Sequence, residues 1–154
     1  MSLKNVQFTV AAHVAAVLAD HFGEYVTSAI LAGSVHAEAT FVRRSIAKLS
    51  RAGIVVATRG KHGACTLARA PQDITLLDIY RASEAPAAFA IHGYPVQPVC
   101  VISRQIKDAM TVVLDDAQAG FEARLAARTL ASLVADIRRQ DCAGAIAAIA
   151  AIAA

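Results

Sequence analysis

The sequence predicts a mainly α protein with a small β wing, organised as a winged helix-turn-helix followed by a long C-terminal dimerisation helix. Three observations carry this reading. Two short helical segments, at 27–34 and 38–51, are joined by a tight turn, and the second has a basic outer face. A β-branched run, a glycine-containing basic turn and a second short run follow at 54–68. Past a proline-containing stretch, one apolar stripe holds helical period for roughly 25 residues, against about 11–12 in an ordinary helix.

Each element has its own signal. Phe8, Ala11, Val14, Ala15, Leu18 and Phe22 form a 3.6-residue stripe, so residues 5–22 are predicted as the first helix, ended by Gly23. Thr27 and Ser28 can cap the next helix, with Ile30 and Leu31 facing inward. A turn at 35–37 leads to the helix at 38–51. There Val42, Ser45, Ile46 and Leu49 share one face, and Thr40, Arg43, Arg44, Ala47 and Arg51 share the other. Residues 54–58 and 65–68 are strands of a two-stranded wing, with the turn at 59–63 as its basic tip.

After a link at 71–73, Thr75-x-x-Asp78 is a capping box, with Ile74 and Ile79 as its hydrophobic staple. Pro86, Pro95 and Pro98 make the connector irregular. The long stripe then runs through Ile102, Ile106, Met110, Val113, Leu114, Ala117, Phe121 and Leu125. A domain this small cannot bury such a face, so Ile102, Ile106, Met110, Val113, Ala117 and Phe121 are expected to pack against a second copy across a two-fold axis. Thr129 can cap a last helix. The resulting boundaries are 1–83 for the winged helix-turn-helix, 84–100 for the connector, 101–140 for the dimerisation helices and 141–154 for a low-complexity Ala/Ile tail. That tail either extends the dimer contact or is loosely ordered.

Charge is distributed unevenly. Residues 1–70 hold eight Lys/Arg and three acids, and residues 71–154 hold seven and nine. A basic first half with a mildly acidic second half suits a polyanion reader carrying a separate assembly region. The few aromatics and absence of Trp argue against a platform for single strands, which needs rings for stacking. Three widely spaced cysteines do not form a disulfide framework. There is no signal-peptide pattern, and the apolar run at 142–154 is too short to span a bilayer. The expected location is the cytoplasm, with reduced thiols and no membrane partner. His13, His21, His36, His62 and His92 lack metal-ligand spacing, and no nucleophile elbow or phosphate loop is present. Neither a metal, a cofactor nor an enzymatic activity is expected.

The expected partner is a double-stranded DNA operator. A helix in the major groove needs donors for phosphates and guanine edges, which places Thr40, Arg43 and Arg44 at the contact, with Arg43 foremost. Glu38 either accepts from cytosine N4 or stabilises the helix N-terminus by its charge. Ser28 joins the contacting set from the first helix of the pair. Arg59, Lys61 and His62 at the wing tip are expected at phosphates or in the minor groove. Cys100, just before the long helix, and Cys65, on the wing, are the redox-sensing candidates. An oxidant or small-molecule effector is a possible partner, the latter sensed around His92 and Tyr94. The alternative function is a winged helix that binds protein rather than specific DNA.

Several linked segments resemble the Rrf-two family of bacterial transcription regulators, the BadM/IscR/NsrR group. These are Phe41-Val42-Arg43-Arg44 with Leu49 and Ala52-Gly53-Ile54-Val55; Arg59-Gly60-x-x-Gly63; Leu67-Ala68-Arg69-x-Pro71; and Ile74-Thr75-Leu76-x-Asp78-Ile79-Tyr80 with Ala82. The resemblance covers about 8–136 and implies a homodimer, with a winged helix on DNA and a crossing helix as interface. Many members bind an iron–sulfur cluster through three cysteines near the start of that helix. Here Cys100 stands alone, so the resemblance is to the cluster-free branch, some of whose members respond to oxidants through cysteine. A second departure is Ala64, where the family usually has glycine, followed by Cys65.

Overall fold

The computed structural model describes residues 6–58 and 63–152, with side chains described through residue 143. Helix α1 (Gln7–Asp20) buries Ala11, Val14, Ala15 and Leu18, as its period predicts. The predicted stripe reaches Phe22, but His21 closes the helix with its N–H on Val17 O, and Phe22 is 53% exposed. Gly23, at a left-handed φ of 90°, turns the chain there.

Strand β1 (Val26–Thr27) runs directly into α2 (Ser28–Val35), where Thr27 Oγ1 accepts the Ile30 N–H at 3.3 Å. Leu31 is fully buried, but Ile30, predicted to face inward, is 58% exposed. Successive helical residues stand about 100° apart, and α1 and α3 cover only the Leu31 side. The turn out of α2 is a Schellman closure: His36 sits left-handed at φ 54°, and Ala37 N–H reaches Ala32 O at 3.3 Å. Helix α3 (Ala39–Arg51) then buries Val42, Ser45, Ile46 and Leu49, the predicted face.

Strands β2 (Val55–Ala57) and β3 (Ala64–Leu67) pair antiparallel, with Val55 opposite Leu67 and Ala57 opposite Cys65. The predicted two-stranded wing gains a third strand. The other edge of β3 takes β1, with Val26 opposite Cys65, giving the order β1-β3-β2. Two residues are too few to show an alternation in sequence. The wing-tip residues Arg59, Lys61 and His62 lie outside the described residues.

A 3-10 turn (Pro71–Asp73) precedes α4 (Leu76–Ala82). The capping box is complete: Thr75 Oγ1 accepts Asp78 N–H at 3.0 Å, and Asp78 Oδ2 accepts Thr75 N–H at 2.9 Å. Both staple residues, Ile74 and Ile79, are fully buried.

Helix α5 (Val101–Ala126) has no buried residue. Its C-terminal part docks on α4 through Phe121, whose ring packs edge-on to Tyr80 at 5.3 Å. Phe121, predicted at the dimer interface, is therefore half-buried within its own chain. The connector at 84–100 is irregular as expected, yet pinned along α5. Ala88 N–H donates to Gln118 Oε1 at 3.0 Å, Lys107 Nζ to Tyr94 O at 2.6 Å and Gln97 N–H to Ser103 Oγ at 2.7 Å.

Helix α6 (Leu130–Ile152) begins under a Thr129 cap, Ser132 N–H to Oγ1 at 3.1 Å. Leu130 is fully buried in the core with Leu18, Leu31, Leu49, Ile54, Ile74 and Ile79, so the first turn of α6 belongs to the globular body and not only to an assembly region. The helix passes over α1, where Arg138 Nε donates to Asp20 Oδ1 at 2.9 Å, and continues through the tail to Ile152. Among the described residues, no helix is long and apolar enough to cross a membrane.

Candidate nucleic-acid interface

The charges of α3 divide into two groups. Lys48 Nζ has three hydrogen-bond partners: Gln7 Oε1 at 3.1 Å, Ser83 O at 3.0 Å and Glu84 Oε2 at 3.1 Å. Arg51 reaches the same Glu84 at 3.5 Å. The hydrogen bond and charge of Lys48 hold Glu84 below the usual carboxylate range; burial opposes this, and Arg51 adds to it. These two cations thus tie the end of α3 to α4 and the start of the connector. Arg43 and Arg44 are different. Both are exposed, and neither makes a hydrogen bond or ion pair among the described residues.

Glu38 is the N-cap residue of α3, but its side chain does not cap the backbone. Its Oε1 instead accepts the Thr40 hydroxyl at 2.8 Å. An exposed carboxylate is thereby oriented about one and a half turns ahead of the two arginines, with Thr40 beside it.

The wing comes up against this helix. Ser28 N–H donates to Gly63 O at 2.9 Å, fastening the start of α2 to the base of the wing. Thr58 N–H donates to Ala64 O at 2.8 Å across the hairpin. Together these residues enclose a notch of about 140 Å³, lined by Ser28, Arg43, Ile46, Thr58, Ala64 and Cys65 among others. Of the predicted residues, Ser28, Arg43 and Cys65 meet here; Thr40 and Arg44 lie on α3, and Glu38 at its N-cap, outside it. Ala57 and Thr58 were legible as wing strand but not as part of the notch, because that placement depends on strand pairing.

The two predicted thiols are placed very differently. Cys65 is buried in the sheet, its Sγ–H donating to Val26 O at 3.6 Å, and burial pushes the thiol up to about 11. That environment disfavours the thiolate, the reactive form, and sets Cys65 apart from the exposed Cys100. Cys100 is exposed at the N-cap of α5, where its Sγ accepts the Ser103 N–H at 3.5 Å. His13 is exposed and paired to Ser34 Oγ at 3.1 Å. Among the described residues, no three His, Cys, Asp or Glu converge to hold a metal ion. The donor set around Cys100 does not fit an iron–sulfur cluster, which needs three or four protein ligands.

Comparison with known proteins bears on this interface. The family described as "Rrf2: Iron-dependent Transcriptional regulator" matches residues 5–136. The HTH-type transcriptional regulator YwnA of Bacillus subtilis (strain 168) is 33% identical over 127 residues, covering 82% of this chain and 92% of that protein. A crystal structure described as a transcriptional regulator from Lactobacillus plantarum superposes with a TM-score of 0.74 at 28% identity, covering 87% of this chain and 91% of that one. The structure described as T. potens IscR superposes with a TM-score of 0.65 at 25% identity, covering 89% and 90%. The family and these relatives are transcriptional regulators and not enzymes.

Proposed function

Because this chain belongs to the Rrf2 family of transcriptional regulators, we propose that it acts in the cytoplasm as a homodimeric repressor, reading a pseudo-palindromic operator with α3 and its wing. The observation that carries the DNA-reading part is the state of Arg43 and Arg44: exposed and without partners among the described residues, on a helix whose opposite face is buried. Unpaired guanidinium groups on a rigid helix can release counterions from phosphates and offer paired donors to guanine O6 and N7. Thr40 holds the Glu38 carboxylate where it can accept from cytosine N4. By sequence position, Arg59, Lys61 and His62 reach the flanking backbone from the wing tip.

Dimerisation is inferred from α5. Ile102, Ile106, Met110 and Val113 are each at least 38% exposed along a helix with no buried residue. Water contact on such a stripe is unfavourable by about 25 cal/mol per Å², which a second copy relieves. Control is assigned to Cys100. Its exposed Sγ accepts the Ser103 N–H at the start of α5, and a bulky or oxidised sulfur would lose that contact and disturb the connector.

Selecting bound duplexes from a random pool tests the reading, under reducing and then oxidising conditions. A recovered palindrome, lost with Arg43→Ala while the oligomeric state is kept, supports it. Unchanged affinity and sequence preference in that variant would remove α3 from the interface. If alkylating Cys100 leaves operator affinity unchanged, the thiol switch is wrong. A duplex affinity that ignores salt would instead favour a protein-binding module.

A further inference from the structure

A second cavity lies away from α3, the wing, the connector and α5. It is a cleft of about 510 Å³ between α1, α2 and α6, within the range of small-molecule sites. Its apolar walls are Val17, Ile30, Val134 and Ile137, two of which are conspicuously exposed, Ile30 at 58% and Ile137 at 49%. Polar groups converge at its edges. His13 Nε2 and Ser34 Oγ meet at 3.1 Å, bridging α1 to α2. Arg138 Nε donates to Asp20 Oδ1 at 2.9 Å, bridging α6 to α1. His21 Nδ1 is taken up by Val17 O at 3.1 Å.

The charges do not balance. Two carboxylates, Asp20 and Asp141, line the cleft with one guanidinium, Arg138, which is committed to Asp20. Asp141 makes no hydrogen bond or ion pair among the described residues. We propose that this cleft is a binding site for a small organic cation with an apolar or aromatic body. The body lies against Val17, Ile30, Val134 and Ile137, the ammonium meets Asp141, and the His13–Ser34 pair offers a hydrogen bond at the other end. The site itself stands on the cleft alone. Its effect on DNA rests on the regulator reading above: α2 is one wall, and the Schellman turn at His36 passes any displacement of α2 to the recognition helix.

The test is calorimetric titration of the full chain with 2-phenylethylammonium, with neutral 2-phenylethanol and with anionic 3-phenylpropionate. The cation is expected to bind saturably, one per chain, and the anion not at all. Asp141→Asn, a surface change that leaves the fold intact, is expected to weaken the cation by about tenfold or more. Ala16→Phe, which fills the cleft, is expected to abolish binding while circular dichroism confirms the fold. No saturable binding of the cation, or equal affinity in parent and Asp141→Asn, overturns the proposal. So does a lower sedimenting mass for Ile137→Asp together with no cation binding, because the cleft is then a seam between copies. Duplex affinity with and without the cation separates the two readings. Saturable cation binding in a chain that binds no duplex overturns the regulator and keeps the site, and duplex binding without cation binding does the reverse.

Discussion

Arg44 and Lys48 are one helical turn apart on α3, and their surroundings give them different work. Lys48 is held by Gln7, Ser83 and Glu84, whereas Arg44 has no partner among the described residues. Arg44→Ala is expected to reduce the salt dependence of duplex binding by about one unit of slope, the signature of one lost phosphate contact, measured by titration at several salt concentrations. Glu84 answers to pH. Its folded carboxyl lies below the ordinary value, so the folded chain holds that proton less tightly than the unfolded chain. Its contribution is present above the unfolded carboxylate value of about 4.3 and is lost as pH falls through the folded value. Glu84→Gln is expected to melt lower than the parent near neutral pH, the gap closing in acid, as followed by thermal melts across pH. At Cys65, a thiol raised to about 11 has roughly a hundredfold less thiolate than an ordinary one at working pH. A disulfide reagent is expected to modify Cys100 and Cys142 in the native chain and Cys65 only after unfolding, as read by mass spectrometry of the labelled peptides.

Among the elements, those with local signals were legible and those completed by contacts were not. The capping box of α4 is written in four residues and appears intact, with both reciprocal bonds. Thr75→Ala is expected to destabilise the fold by about 1 kcal/mol, with Thr75→Ser recovering most of it, measured by urea denaturation. The buried face of α3 was equally readable, since its helical period survives any packing partner. Strand β1 was not, because it exists only through its pairing with β3. The inward assignment of Ile30 failed for a related reason: what covers an eight-residue helix is decided by its neighbours.

At the scale of the molecule, the aromatic column joins the winged-helix body to α5. Phe8, Tyr80 and Phe121 stack edge-on at 5.4 and 5.3 Å, and the Tyr80 hydroxyl donates to Pro86 O at 3.0 Å while accepting from Gln118 at 3.2 Å. Tyr80 thus touches α1, the connector and α5 together. The free length of α5 beyond this column is the proposed assembly surface. Val113→Glu is expected to convert a dimer to a monomer in analytical ultracentrifugation and to lower operator affinity with it, while leaving the thermal transition of the globular body nearly unchanged. A dimer of unaltered mass would take α5 out of the interface.

Periodicity, capping chemistry and the order of basic, glycine and β-branched residues determined the winged helix-turn-helix, the exposed basic face of α3 and the long unburied helix. These are properties of neighbours in the chain, and local sterics and helical geometry suffice to express them. The tertiary structure decided which cations of α3 stay available, because Glu84 reaches Lys48 and Arg51 from more than thirty residues away in sequence, across α4. It decided that Cys65 is shielded and Cys100 exposed, because burial depends on what packs above a strand. It also folded α6 back over α1, which opened the cleft beside α2. Charge pairing, burial and cavities arise only where distant segments meet, and no window of sequence contains both sides.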